Sequence, residues 1–262
     1  MLKKIALSCT LLAVSAFVVM SCGGNKTPDN GNKGPEAPAE KPAYQSASDE
    51  GTVTGKILFT GTAPAPKSID MGQDPVCVTA ATDKTTEDVV VKDGKLANVF
   101  VYVKSGGAVD KFSFPTPSSD VDLDQKGCRY HPHVLGVMTK QNIKIINSDN
   151  TTHNIHPSPT KNQEWNQSQT AGQAPFEKSF ARQEVVIPVK CNQHPWMRMF
   201  VSVVKSPFYA VSGPDGKFEI KGLPPGDYTI AFVHEKLGEQ DQKVTLAAKD
   251  SKTVDVTFKP GT

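Results

Sequence analysis

Glu184-Val185-Val186-Ile187-Pro188-Val189-Lys190-Cys191-Asn192-Gln193-His194-Pro195-Trp196-Met197 is the stretch on which the reading of this 262-residue chain turns. The run from Glu184 to Val189 is rich in β-branched residues and reads as a strand. Directly after it, Cys191, His194 and Met197 put a thiolate, an imidazole and a thioether on one tight turn, which Pro195 stiffens. Met199 to Val204 then returns to a strand pattern.

Working outward, the same rhythm recurs. Short apolar segments run from Val53 to Phe59, Val89 to Val91, Ala97 to Val103, Val134 to Met138 and Ile143 to Ile146. They continue from Lys217 to Ile220, Tyr228 to Val233, Val244 to Leu246 and Val254 to Phe258, with Gly, Pro, Asn and Asp between them. Many short strands, frequent turn residues and no sustained helical period predict an all-β fold of two small β-sandwiches.

The C-terminal stretch carries its own pattern. Ser212-Gly213-Pro214-Asp215-Gly216 reads as a hairpin turn ahead of the alternating Lys217-Phe218-Glu219-Ile220, and Leu223-Pro224-Pro225-Gly226 as a second turn before Tyr228. This D-G-x-F-x-I, L-P-P-G-x-Y-T pattern resembles the carboxypeptidase regulatory-like (transthyretin-like) β-sandwich over residues 207–262. Gly51 to Ile57 and Ala97 to Val103 look like the first strands of that sandwich. The expected organisation is therefore discontinuous. Residues 50–108 and 207–262 make one sandwich and 109–206 an inserted one.

Soft thiolate and thioether donors select copper, and imidazole accepts both of its common oxidation states. Three such donors share the turn, so a fourth must come from elsewhere. An upstream imidazole lies in Asp149-Asn150-Thr151-Thr152-His153-Asn154-Ile155-His156. Two His nitrogens, one Cys sulfur and a weak Met sulfur form the ligand set of a blue-copper electron-transfer centre. Zinc fits less well, because thioether is a poor zinc ligand.

Residues 109–206 resemble a cupredoxin, with a ligand loop of amicyanin type, on four pieces. These are Pro132-His133-Val134, Ile145-Ile146-Asn147, His153 to His156, and Cys191 to Met197. The resemblance implies a Greek-key sandwich holding one type 1 copper ion. It implies His153, Cys191 and His194 as equatorial ligands, Met197 as the weak axial one, and Asn154 as a tie between the ligand loops. Met199 competes with Met197 for the axial place. His153 is expected at the start of a turn after the strand Lys144 to Asn147.

The remaining histidines have blander readings. His156, three residues past His153, would face the other way on an extended segment, with a polar surface role or a second metal as alternatives. His131 and His133 alternate onto one strand face, solvated or forming a weak second metal site. His234 reads as surface. Pro195 and Trp196 are expected to form an apolar rim for a redox partner, or else Trp196 packs into the core.

Lys3 and Lys4, an apolar run from Ile5 to Met20, and Ser21-Cys22 make a secretory signal, and Val19-Met20-Ser21-Cys22 resembles a bacterial lipobox. That implies loss of residues 1–21, a lipid on Cys22, and a chain anchored to a bacterial membrane facing the periplasm or cell surface. Residues 22–49, almost devoid of apolar side chains, read as a disordered tether. Without Lys3 and Lys4, Lys plus Arg falls from 29 to 27 against 27 Asp plus Glu, a balance that argues against nucleic-acid binding. Cys9 leaves with the signal and Cys22 is acylated, so Cys77, Cys128 and Cys191 remain. With Cys191 committed to metal, Cys77–Cys128 is the default disulfide of an oxidising compartment, the pairing itself staying open.

The expectation is a lipid-anchored, one-electron copper carrier with a redox protein partner and no enzymatic activity, since no acid–base pair, nucleophile triad or phosphate loop is present. The alternatives are a copper storage or delivery lipoprotein and a surface adhesion module built on the transthyretin-like sandwich.

Overall fold

The computed structural model describes residues 40–260; the signal segment, Cys22 and the first part of the tether lie outside the described residues. The fold is all-β. Four sheets stack face to face, and the reason is legible strand by strand.

The strand Gly51–Phe59 lies at the heart of the outermost sheet. It pairs antiparallel with Lys217–Leu223 and parallel with Ser251–Thr253 and Val256–Phe258. The second sheet orders Tyr209–Val211, Phe100–Gly106, Gly226–His234 and Gly238–Leu246. Val53, Ile57, Phe218 and Phe258 of the first sheet meet Val101, Val103, Ile230 and Phe232 of the second in one core. Strands from residues 51–106 and 209–258 thus build a single sandwich around the segment that lies between them in sequence.

That intervening segment forms two further sheets. One contains His153–Pro157, Glu184–Lys190, Arg198–Val204 and Val134–Met138, with Gln167–Gln169 at its edge. The other contains Phe176–Lys178, Ile143–Asn147, Val121–Gln125 and Tyr130–His131. Leu123, Ile143 and Ile145 pack between them against Leu135, Ile187, Val189 and Val201.

The two sandwiches share a face. Phe100, Tyr102, Ala231 and Val233 pack on Val134 and Val204, with Tyr209 beside them. Alternate side chains of Phe100–Gly106 therefore enter different cores: Val101 and Val103 one, Phe100 and Tyr102 the other. A strand buried on both faces reads as an unbroken apolar run. Gly136 makes the close approach workable. A Cβ there would fall 2.6 Å from the Tyr209 ring and 2.7 Å from that of Phe100. Tyr209 Oη donates to the Gly136 carbonyl at 3.2 Å.

Several expectations need correcting. Residues 40–49 are not loose tether: Tyr44 packs on Phe112 and Phe114, its N–H donates to the Ser113 carbonyl at 2.8 Å, and Lys41 Nζ donates to the Val109 carbonyl. An aromatic ring in a polar stretch is enough to fasten it. Residues 69–81 were expected with the 50–108 strands of the outer sandwich. Instead Met71 and Cys77 are buried in the core of the inserted one. A short helix, α1 (Pro75–Ala80), forms there, with Asp74 accepting from the Val76 N–H as its N-cap and proline at the first helical position. His153 opens a strand rather than a turn. His234, expected at the surface, is 2% exposed, because it ends the buried strand Gly226–His234 with its ring 6.4 Å from that of Phe258 in the outer sandwich's core.

Candidate metal centre

The site is built where two strands end. Glu184–Lys190 carries a register irregularity between Glu184 and Ile187, then delivers Cys191 to the end of the sheet. The loop closes on itself: Cys191 N–H donates to the Met197 carbonyl at 3.2 Å and Met197 N–H to the His194 carbonyl at 2.9 Å. The neighbouring strand His153–Pro157 brings His153 alongside. Asn154 ties the two together. Its Oδ1 accepts from the Asn192 N–H at 2.7 Å and from the Cys191 thiol at 3.3 Å.

His153, Cys191 and His194 are all buried, and one donor atom from each lies within 4.8 Å of the other two. The rings are oriented from behind. His153 Nε2 meets Asp149 Oδ2 at 2.9 Å, and His194 Nε2 meets Asp74 Oδ2 at 3.0 Å. An ionised carboxylate only accepts, so each Nε2 must carry the proton, and each neutral ring is left with its lone pair on Nδ1. Those two Nδ1 atoms are 2.9 Å apart, and His194 Nδ1 is 3.8 Å from Cys191 Sγ.

The electrostatics point the same way. Burial opposes ionisation of Cys191, but contact with His153 and the N–H groups of Asn154, His194 and Gln193 bring its thiol below the usual cysteine value. Burial likewise disfavours charge on His153, yet Asp149 and Cys191 raise its pKa above that of an ordinary histidine. Burial pushes His194 down, against the pull of Asp74. Burial disfavours ionisation of Asp149 too, and the contacts from His153, Cys128 N–H and Gly127 N–H hold its carboxyl below the usual range. The result is a buried pocket in which two imidazole nitrogens converge beside a sulfur whose ionisation is eased, with two carboxylates behind the rings. A soft cation is the group that such a donor set fits.

Met197 and Met199 are 1% and 0% exposed and belong to the same core cluster, so burial does not separate them as axial donors. The loop-closing hydrogen bonds put Met197 within the ligand turn, whereas Met199 pairs in a strand opposite Val189.

The other sequence candidates scatter. Cys77 and Cys128 form a disulfide and Cys191 is free. His156 bridges Asn192 Oδ1 and Glu164 Oε1, away from the centre. His131 is exposed and contacts the Lys126 carbonyl. His133 turns to Glu235 Oε2 at 2.8 Å, so the expected shared strand face of His131 and His133 does not form. Trp196 is half-buried: its ring lies 5.1 Å from that of His194 and its Nε1 donates to the Cys128 carbonyl, while Pro195 is exposed. Sequence reasoning missed Asp74 and Asp149. Asp74 stood before Pro75 as a helix-cap signal that went unread; Asp149 looked like one more turn residue.

Residues 192–259 match the family described as Carboxypeptidase regulatory-like domain. The match starts well before residue 207, one residue after Cys191, and takes in His194, Met197 and the strand Arg198–Val204. No curated protein sequence matches the chain. Among solved structures it is similar to a copper-containing nitrite reductase from Thermus scotoductus SA-01, at 16% identity and TM-score 0.31, over 40% of this chain and 25% of that one. It is similar to a purple cupredoxin from Nitrosopumilus maritimus, at 21% identity and TM-score 0.28, over 32% of this chain and 99% of that one. An amicyanin variant in its Cu(I) form aligns at 18% identity and TM-score 0.29, over 39% of this chain and 97% of that one. The chain thus spans about a quarter of the nitrite reductase.

Proposed function

We propose that this chain holds one copper ion through His153, Cys191 and His194, with Met197 as a weak axial ligand, and works as a one-electron carrier. A copper ion in such a donor set supplies reversible one-electron chemistry. The observation that carries the reading is the convergence of two Nδ1 atoms and one cysteine sulfur, with both Nε2 edges already committed to carboxylates.

The chain's own residues do the rest. Asp149 and Asp74 hold the tautomers and aim the rings. Asn154 fixes the spacing of the two ligand-bearing elements. The surrounding apolar cluster excludes water, and Tyr130, 1% exposed, closes the floor by donating to the Asn154 carbonyl. Pro195 and Trp196 border a groove of about 230 Å³ lined also by Arg129, Arg198 and Lys236, where a redox partner would dock. The lipobox-like segment and Cys22 support anchoring to a bacterial membrane, facing the periplasm or cell surface.

The test is optical and electrochemical. Copper-loaded protein is expected to show intense visible thiolate-to-copper absorption and a reversible one-electron couple. Colourless protein at full copper occupancy overturns the carrier reading. A second reading, copper storage or delivery, is favoured by one observation: the ligand His194 is only 4% exposed, sealed beneath Asp74 and α1. It predicts tight Cu(I) binding without a reversible couple.

A further inference from the structure

The outer edge of the centre is covered by a disulfide, and that disulfide is joined to both ligand histidines. Asp74, which accepts from His194, is the N-cap of α1, and Cys77 sits in the first turn of that helix. Asp149, which accepts from His153, also accepts from the Cys128 N–H at 2.7 Å. The Cys77–Cys128 bond therefore links the two carboxylates that aim the two imidazoles. One side-chain donor each of Asp74, Cys77 and His194 falls within 4.8 Å, and the same holds for Cys128, Asp149 and His153. Both sulfurs are fully buried.

Beyond the disulfide and the Asp74–His194 contact, the cover is held by Met71 in the core, by Ala81 packed against it and by hydrogen bonds at its surface, where Lys84 Nζ donates to the Val78 carbonyl at 2.9 Å. Gln73 Nε2 donates to the Gln193 carbonyl at 3.1 Å, and Thr151 Oγ1 donates to Asp74 at 2.8 Å. Of residues 71–81, only Met71 and Cys77 are buried, and Val78 is 43% exposed. A helix of six residues has no independent stability, so its position depends on these few ties.

We propose that Cys77–Cys128 is the reducible gate of the metal centre. Closed, it seals the imidazole edge. Opened, it presents two thiols as additional soft donors on that edge, through which Cu(I) is handed in and out. The step balances by thiol–disulfide exchange with a dithiol reductant. The Cys77–Cys128 S–S bond breaks, a disulfide forms in the reductant, and two electrons and two protons pass to the two cysteine sulfurs. Thiolates suit Cu(I) better than the carboxylates now at that edge. The gate rests on the copper reading, but its opening is measurable without copper.

Two measurements on the full chain decide it. In metal-free protein, carbethoxylation of His194 and hydrogen exchange of residues 71–81, mapped by mass spectrometry, are expected to rise at least tenfold when thiol titration shows the disulfide open. In Cu(I)-loaded protein, transfer to a chromogenic chelator is expected to accelerate at least tenfold on reduction, and to slow again on reoxidation. A Cys77→Ser/Cys128→Ser chain should leave His194 reactive but transfer Cu(I) more slowly than the reduced native chain, since it lacks the two thiols. Unchanged His194 reactivity with the disulfide shown open overturns the gate, as does global loss of circular dichroism on reduction, which would make the bond a structural staple. An oxidised chain that binds no copper overturns the carrier reading and the copper-transfer half of the gate together. A copper-binding chain whose transfer ignores reduction overturns the gate alone.

Discussion

Two pairs of buried histidines lie in this molecule, and they behave differently. At the candidate metal centre, His153 and His194 turn both Nε2 atoms outward to carboxylates, and their Nδ1 atoms converge beside a sulfur. At the junction of the sandwiches, His133 Nε2 meets Glu235, and His234 Nδ1 accepts from the Lys236 N–H. Among the described residues, neither His133 nor His234 belongs to a group of converging donor atoms. Burial of imidazole is common to both. What fits one pair to hold a metal is that carboxylates take the ring protons on the far side, leaving the other nitrogens aimed at one point.

Exchanging chemistry between the two pairs breaks the comparison most sharply at Cys191. Cys191→Ser should abolish the visible copper absorption entirely, whereas His133→Gln and His234→Asn should leave the band in place; absorption and electron paramagnetic resonance spectra check both. A lost band in His133→Gln would mean that the junction is part of the centre.

Next in size is the disulfide. It closes a loop of 51 residues, and cross-linking such a loop stabilises a chain by about 4 kcal/mol in the chain-entropy account. Denaturant unfolding of reduced against oxidised protein should show a loss of that order, with the native fold retained in the absence of denaturant.

The junction pair predicts a pH dependence that the metal centre does not need. Burial, together with the charges of His133 and Lys236, pushes the pKa of His234 down to about 4. A base with a depressed folded pKa binds fewer protons folded than unfolded, so its stabilisation is present above about pH 6.5 and fades as pH falls toward 4. About 3 kcal/mol should be lost across that window, and His234→Asn should flatten it; thermal melts at pH 7 and pH 4 measure this. His133 has the opposite sign. Burial opposes its charge, but Glu235 and Glu87 raise its pKa, so its contribution holds at low pH and is lost as pH rises through that raised value.

The smallest effects should come from the carboxylates behind the ligands. Asp149→Asn and Asp74→Asn should each weaken copper binding by about 10- to 100-fold. Asp149 is the costlier of the two. It accepts from His153, Gly127 N–H and Cys128 N–H, and an amide offers only one oxygen for that work. Chelator competition would rank the two variants, and equal, unchanged affinities would mean the rings are held by packing instead.

Much of this was legible before any coordinates. The strand segments were visible wherever apolar residues alternated or ran together, as in Val134–Met138 and Gly226–His234. The strands with no local signal, such as Gln167–Gln169 and Phe176–Lys178, are three-residue edge pieces without an apolar alternation, and the one fully buried side chain among them is the polar Gln169. Their order comes from neighbours, so no local pattern announces them. Asp74 and Asp149 escaped for a related reason. A carboxylate on a turn has many ordinary uses, and its role depends on which ring stands opposite.

Local chemistry, then, determined the donors: a cysteine, a histidine and a methionine on one proline-stiffened turn carry their preference for a soft ion wherever they fold. The tertiary structure decided what surrounds them. It brought His153 from 41 positions upstream to within 2.9 Å of His194, aimed both rings with carboxylates, and laid a segment expected in the other sandwich over their edge. Spacing along the chain sets which groups can share a turn. Long-range strand pairing and a buried disulfide set which groups meet across it.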